Sequence, residues 1–389
     1  MKKILSIFIL LSSVNVFANH FGLMFQYLTK ASPKIYGNVY NFCVQYPTGT
    51  VKCSGDNSSF QLGDGTQTAS SLPIVSPIVN PISLVVGPYF DICSIMKDGS
   101  FQCLGSNNGA QFGTAPASMP SLTTIPYSNT LAASIGQTTS CAITGAGTYC
   151  MGTRQYGELG DASTTTNATT PTLISHYPGA KQIALNRTSS CALLADNNIY
   201  CGGNAQTTEF TTVTTGAVAV PGFSNVKNMY YGEINLCAIF LDGSVRCTGF
   251  NLYGQIATGT TNVSPSSSLP AMTGFSGAIK LAVGAASVCA LMPSGSVLCQ
   301  GRNTSGELGI LPMTNVTTPT AVPGITNAVD IAVMDNGIPR FVPFTRITVP
   351  GYCALTKNNQ VICFGGNSQG SFGNGNTATV TSASVMTNW

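Results

Sequence analysis

The stretch Cys237–Gly259, CAIFLDGSVRCTGFNLYGQIATG, decides the fold. Two cysteines flank nine residues that are apolar at both ends and turn at Asp242-Gly243, and a polar, glycine-punctuated loop follows. Apolar ends around a Gly-bearing turn describe a β-hairpin. Gly243 tolerates the left-handed backbone that the last position of a three-residue hairpin loop requires. With that loop Phe240 pairs with Ser244, and counting outward sets Cys237 opposite Cys247. Pair types alternate along an antiparallel ladder, so the cysteines fall at a non-hydrogen-bonded site. Their Cα atoms are then about 4.5–5.5 Å apart, within disulfide reach.

The same arrangement recurs in every unit. All 14 cysteines fall into seven pairs: Cys43 with Cys53, Cys93 with Cys103, Cys141 with Cys150, Cys191 with Cys201, Cys237 with Cys247, Cys289 with Cys299 and Cys353 with Cys363. In six pairs the sixth residue after the first cysteine is Gly49, Gly99, Asn197, Gly243, Gly295 or Asn359, the residue types that accept a left-handed turn. The third unit lacks one residue, and its loop becomes Gly145-Ala146. Glycine at the first of two loop positions predicts a type II′ turn, which keeps Cys141 facing Cys150. Seven cross-strand disulfides, one per hairpin, are therefore expected, formed in an oxidising compartment. No pair has metal-ligand spacing, and with two histidines in the chain zinc is a poor reading.

First cysteines lie 46 to 52 residues apart, apart from a gap of 64 before the last unit. A period in this range signals a solenoid or propeller. A strand-like run precedes each first cysteine, such as SLVVG, LAASIG, KQIALN, KNMYYG and IKLAVG, and a Pro-bearing extended stretch follows each polar loop. Each unit thus holds four candidate strands and no convincing helix.

The pattern Cys-Ala-Leu, Asp-Gly-x-Val, x-Gly-x-Asn and Gly-Gln/Glu-Leu-Gly resembles the regulator of chromosome condensation repeat. The match covers about residues 32–388. The resemblance implies an all-β fold, a seven-bladed β-propeller of four-stranded antiparallel blades, and the count of units and strands agrees independently. Two departures stand out. The family's usual Trp before the loop glycine is replaced by the second cysteine of each pair, and unit four keeps only Glu209-Phe210 of its Gly-Gln-Leu-Gly. The family's founder acts on a small GTPase at chromatin. Its members also include secreted bacterial propellers that inhibit other proteins, which agrees better with this chain's compartment.

That compartment is read from the start of the chain, MKKILSIFILLSSVNVFANH. Lys2 and Lys3 form a basic start, Ile4 to Leu11 an apolar centre, and Val16 and Ala18 the small residues before a cut. This is the pattern of a secretory signal peptide over residues 1–18, too short in its apolar run to span a membrane. Loss of Lys2 and Lys3 leaves 14 basic against 13 acidic residues, with no electrostatic footprint for nucleic acid. Only 7% of residues are charged, so the surface is polar through Ser, Thr and Asn. Residues 19–31, with FGLMFQYLTK, have no place in the repeat count and are expected to lie across the ring closure or cover one end.

Chemistry is nearly absent. There is no HExxH, GxSxG or Walker loop, and no GxGxxG in a βαβ context. His176, in LISHYPG, is expected at a strand end as a solvated surface residue. Glu158 and Glu307 occupy the repeat's Gln position, which assigns them to loop bracing. LGDGT at Leu62–Thr66 and GNGN at Gly373–Asn376 carry too few carboxylates for a strong calcium site. No catalytic residue, cofactor or metal is assigned.

The last unit breaks the spacing. About fourteen extra residues, Asp335 to Thr348 (DNGIPRFVPFTRIT), separate its first and second strands. In an up-and-down blade this connection emerges on the face of the Gly-Gln-Leu-Gly loops. Arg340, Phe341, Phe344 and Arg346 are residue types of interface hot spots and form the candidate partner-binding element; the other reading of the stretch is a hairpin folded onto its own blade with both Phe buried. The expected function is an exported, non-enzymatic scaffold that binds another protein or a surface glycan through one loop face. It would sit in the periplasm, on the cell surface or in the medium, with no transmembrane segment after cleavage. Two carboxylates clustered in a face pocket, or His176 facing one, would point instead to a hydrolase or lyase. A third reading is a structural module of an envelope or fibre assembly.

Overall fold

The structure, a computed structural model, describes residues 32–389 except 88–89, 156, 165–166, 204–213, 233, 257–260, 262–268 and 335–348. They form seven antiparallel sheets, each built from one contiguous repeat. The first runs outward from the axis as Lys34–Gly37, Asn41–Gln45, Thr50–Gly55 and Ser70–Val79. Six sheets have four strands. The fifth has three among the described residues, and the stretch expected to supply its fourth includes 257–260 and 262–268, which lie outside them. One helical turn, Thr273–Phe275, completes the described elements. The architecture is a seven-bladed β-propeller, as the repeat implies.

The hairpins form because their turns suit their residues. In blade five Phe240 N–H donates to Ser244 O at 2.8 Å, Gly243 has φ +81°, and Cys237 stands opposite Cys247. Gly49, Gly99, Asn197, Gly295 and Asn359 have the same left-handed backbone. The third unit differs from expectation. Its register holds, with Cys141 opposite Cys150 and Thr144 opposite Gly147. Gly145, however, is not left-handed, so the turn is not type II′, and the positive φ falls on Gly147 at +141°. The Thr144 hydroxyl accepts Ala146 N–H at 3.1 Å, so a side chain shapes this turn. Gly249, just after Cys247, has φ +123°, and a Cβ there would lie 2.3 Å from Ile234 O. Only glycine fits where the third strand crosses so close to the second.

All seven expected disulfides are formed. Cys43 is bonded to Cys53, Cys93 to Cys103, Cys141 to Cys150 and Cys191 to Cys201. Cys237 is bonded to Cys247, Cys289 to Cys299 and Cys353 to Cys363. In each the two cysteines stand directly opposite in the ladder, as Cys93 does to Cys103, Cys191 to Cys201 and Cys289 to Cys299. Their Cα atoms are 4.0–4.1 Å apart. That is closer than the separation expected from the sequence: no backbone hydrogen bonds space this pair, and the S–S link draws the strands together. Each pair lies on the same side of its blade, buried against the next. Cys93 and Cys103 pack with Ile135 and Ala142 of blade three, and Cys191 and Cys201 with Met229 and Leu236 of blade five. Cys237 and Cys247 pack with Leu281, Val283, Val288 and Ala290 of blade six, and Cys289 and Cys299 with Ile331 and Tyr352 of blade seven. Cys353 and Cys363 pack with Ile35, Phe42 and Val44 of blade one, which completes the circle.

Closure therefore uses packing and hydrogen bonds rather than a shared strand. The last strand, Val380–Met386, belongs to the last blade. Across the seam Ser54 Oγ donates to Ser371 O at 2.6 Å and Ser371 Oγ to Tyr40 O at 2.8 Å. Trp389, one residue past the expected end of the repeats, meets Phe42 edge-on with ring centres 5.1 Å apart, and its indole N–H donates to Phe372 O. The stretch of residues 19–31, expected across this seam or over one end, lies outside the described residues.

Candidate functional site: the channel mouth on the loop face

Each blade sends two connections to one face, the inner turn between its first and second strands and the long loop after its third. The hairpin tips lie on the other face. The long loops are braced from within. Asn57, Asn107, Asn251, Asn303 and Asn367 accept, through Oδ1, the backbone N–H five residues on, at 2.8–3.0 Å. Gln61, Gln111, Gln255 and Glu307 accept the N–H two residues before, at 2.7–3.0 Å. The bracing role expected of Glu307 is thus its observed contact. Arg302 Nε lies 3.1 Å from the second Glu307 oxygen, an ion-pair distance, where Gln61, Gln111 and Gln255 supply an uncharged amide. Glu158, in the third loop, accepts Thr153 Oγ1 at 3.3 Å, and Arg154 pairs with Asp161 at 2.8 Å.

The inner turns rim the central channel. Gly136, Asn186, Gly232 and Gly284 each donate N–H to the carbonyl three residues on, closing four-residue turns. Asn38 and Asn186 also fold their side chains into the turn: Asn38 Oδ1 accepts Tyr40 and Asn41 N–H, and Asn186 Oδ1 accepts Thr188 and Ser189 N–H. Inside the rim is a hollow of about 220 Å³ lined from all seven blades, by residues including Asn38, Val86, Ser134, Asn186, Tyr231, Val283 and Val333. The sequence marks these turns by the Gly or Asn that ends each strand-like run. Sequence reading missed the lining because no single repeat contains a pocket.

The last blade departs here. Its inner strand ends at Met334 and its second begins at Gly351, so the connection leaves and re-enters at the channel mouth beside Val333. Arg340, Phe341, Phe344 and Arg346 belong to that connection and lie outside the described residues.

Toward the hairpin face the channel wall carries charge. Lys280 is paired with Asp330, whose other oxygen accepts Ile35 N–H at 3.4 Å. Tyr36 and Tyr230 stand nearby with phenols pushed up to about 12, first by burial and further by the Asp330 charge. Among the described residues no carboxylate lines the loop-face hollow; Glu233 and Asp335 lie outside them. His176 is exposed on a turn beyond the strand Ala168–Leu173, near Gly216 at the outside of blade four, and does not line the channel. The Asp64 carboxylate is occupied by Asn57 Nδ2 and the Thr66 N–H and hydroxyl. Among the described residues no three potential metal ligands converge.

No family model matches the chain, and no curated protein matches it by sequence. Solved structures do. Prp20p from Saccharomyces cerevisiae, crystallised in a study of its binding to Gsp1p and histones, superposes with a TM-score of 0.71 at 17% identity, over 91% of this chain and 87% of that one. Human WBSCR16 gives 0.69 at 17% identity, over 92% and 94%. The ectodomain of the Physcomitrella patens receptor kinase CR4 gives 0.51 at 17% identity, over 87% and 74%. Prp20 is the yeast RCC1, and seven four-stranded units around one channel, with the Gly-Gln-Leu-Gly loops gathered on one face, give this chain the fold of an RCC1-like repeat propeller.

Proposed function

We propose that the protein is an exported, non-enzymatic binding scaffold that engages another protein or a surface glycan through the loop face. The observation that carries this reading is the channel mouth. A rim of tight turns from six blades is interrupted once, at Met334, by a connection whose sequence is RFVPFTR at its centre. A rigid, braced rim beside one long loop rich in Phe and Arg is how interface hot spots are presented. Seven disulfides support an oxidising compartment, in line with the signal-like start. Partner binding also agrees with the similar structures, which include a protein studied for its binding to Gsp1p and histones and a receptor-kinase ectodomain.

The test uses the oxidised protein as bait against native envelope and medium fractions. Phe341→Ala with Phe344→Ala is expected to leave the melting temperature unchanged and to weaken capture of the partner by about 2 kcal/mol or more. Retention of the same partner at the same strength by the double variant would contradict the reading.

A further inference from the structure

The hairpin face carries an arrangement that the loop-face reading does not use. At one repeat position, immediately before the paired part of the inner strand, blades two to seven place Ile82, Leu131, Lys181, Lys227, Ile279 and Val329. All six are exposed, the four aliphatics by 51, 69, 53 and 37%. Three of them, Leu131, Lys227 and Val329, are bulge residues skipped by the ladder. The fold's symmetry sets them at one level around the channel. Leu241, at a hairpin tip, adds a further exposed aliphatic at 57%. Exposed aliphatics gathered on one rim are not the scattered surface apolars of an ordinary domain.

Charge is sorted by face as well. Every described lysine lies toward the hairpin end: Lys34, Lys52, Lys97, Lys181, Lys227, Lys280 and Lys357. Lys280 is paired with Asp330. The carboxylates at this end are otherwise Asp98, Asp196 and Asp242, each turned back to accept a backbone N–H of its own turn. The loop end holds Asp56, Asp64, Asp91, Glu158, Asp161 and Glu307 against Arg154, Arg187 and Arg302 among the described residues, Asp91 being buried. Among the described residues charge is therefore basic at one end and acidic at the other. The described chain also enters the fold on the basic side: Ser32 lies against the hairpin tip at Tyr46–Gly49 and Lys97.

We propose that the hairpin face docks on an anionic lipid bilayer. Aliphatic side chains at one level enter the headgroup boundary while lysines between and around them meet the phosphates. Lysine stems lie along apolar surface and keep the amine in water, which suits that depth. An acidic protein partner would also meet the charge. The six rim positions carry aliphatics and lysines set at one level, which suits a planar headgroup boundary, and the test below separates the two partners.

The test mixes the oxidised protein with sedimentable vesicles of equal parts phosphatidylglycerol and phosphatidylcholine, or of phosphatidylcholine alone. The protein is expected to sediment with the anionic vesicles at low salt, to be released at high salt, and to stay in solution with the neutral ones. Lys181→Glu with Lys227→Glu is expected to lower the bound fraction about tenfold or more. Leu131→Asn with Ile279→Asn is expected to lower it several-fold, and Leu311→Asn, an exposed leucine on the other face, to leave it unchanged. All these positions are exposed, and equal melting temperatures verify that the variants are folded. Equal sedimentation with both vesicle types, rim variants that bind like the parent, or capture of an acidic protein without vesicle binding would each overturn the proposal. It stands apart from the loop-face reading: the variant altered at Phe341 and Phe344 should bind vesicles as the parent does.

Discussion

Cys237 and Cys247 face each other across blade five with Cα atoms 4.0 Å apart, and their sulfurs lie in the wall between that blade and blade six. The bond does two things at once. It pins a hairpin, and it fills the interface that the next blade packs against.

Removal of one pair should therefore cost more than its loop entropy. Closing a loop of this size contributes about 2–3 kcal/mol. Cys237→Ala with Cys247→Ala also leaves a gap against Leu281 and Val288, for a further ~1 kcal/mol or more. Denaturant titration should show a loss of about 3–4 kcal/mol. A loss below about 1 kcal/mol would mean that the sulfurs do not bear on the blade interface.

Asp91 should make stability fall with rising pH. It is fully buried, at the position that Asn41 and Asn235 hold in blades one and five, and its Oδ1 has no hydrogen-bond partner. Burial raises its carboxyl well above the usual carboxylate range, although Gln111 and the Ser106 backbone hold it down in part. A raised folded pKa favours the fold while the group is neutral. This contribution is complete below the ordinary value near about 4 and is lost as pH rises toward the folded value. Asp91→Asn should remove that slope and raise stability near neutrality by about 1 kcal/mol or more. Urea midpoints across the acid-to-neutral range decide it, and an unchanged slope would contradict it.

Much of this is legible in the sequence because the repeat encodes it locally. Cysteine register, left-handed turn residues and loop-bracing Asn and Gln all lie within one unit, so one hairpin's arithmetic applies seven times, to Cys103, Cys201 and Cys299 as to Cys247. The third turn escapes it because Gly145 suggests a backbone solution where the Thr144 hydroxyl supplies a side-chain one. The channel mouth, the rim of the hairpin face and the seam through Ser54 and Ser371 are not legible. Each arises from residues many units apart in the chain, brought to one level only by the ring.

Glu307 and Arg302 should depend on each other. Glu307 is fully buried, and its loop works in other blades with a neutral amide. Arg302→Met leaves a buried carboxylate without its cation and should cost about 3 kcal/mol. Adding Glu307→Gln should recover most of that loss, since Gln keeps the Ser305 N–H bond. A double variant no more stable than Arg302→Met would show that Arg302 acts through packing alone.

The seam should be sensitive to the last residue of the chain. Trp389→Ala removes the edge-on contact to Phe42 and the bond to Phe372 O, and should lower stability by about 1–2 kcal/mol. Hydrogen exchange should quicken first in the Lys34–Gly37 and Ala328–Met334 strands. Exchange unchanged at those strands would place closure elsewhere.

The propeller is pinned blade by blade, and a disulfide map of the native protein tests this, together with the proposed export, most directly. Non-reducing proteolysis and mass spectrometry of the chain recovered from envelope or medium should yield seven linked peptides, one for each pair from Cys43 with Cys53 to Cys353 with Cys363, with no free thiol. An abundant cross-blade pair such as Cys53 with Cys93, or a native protein with its cysteines reduced, would contradict the account.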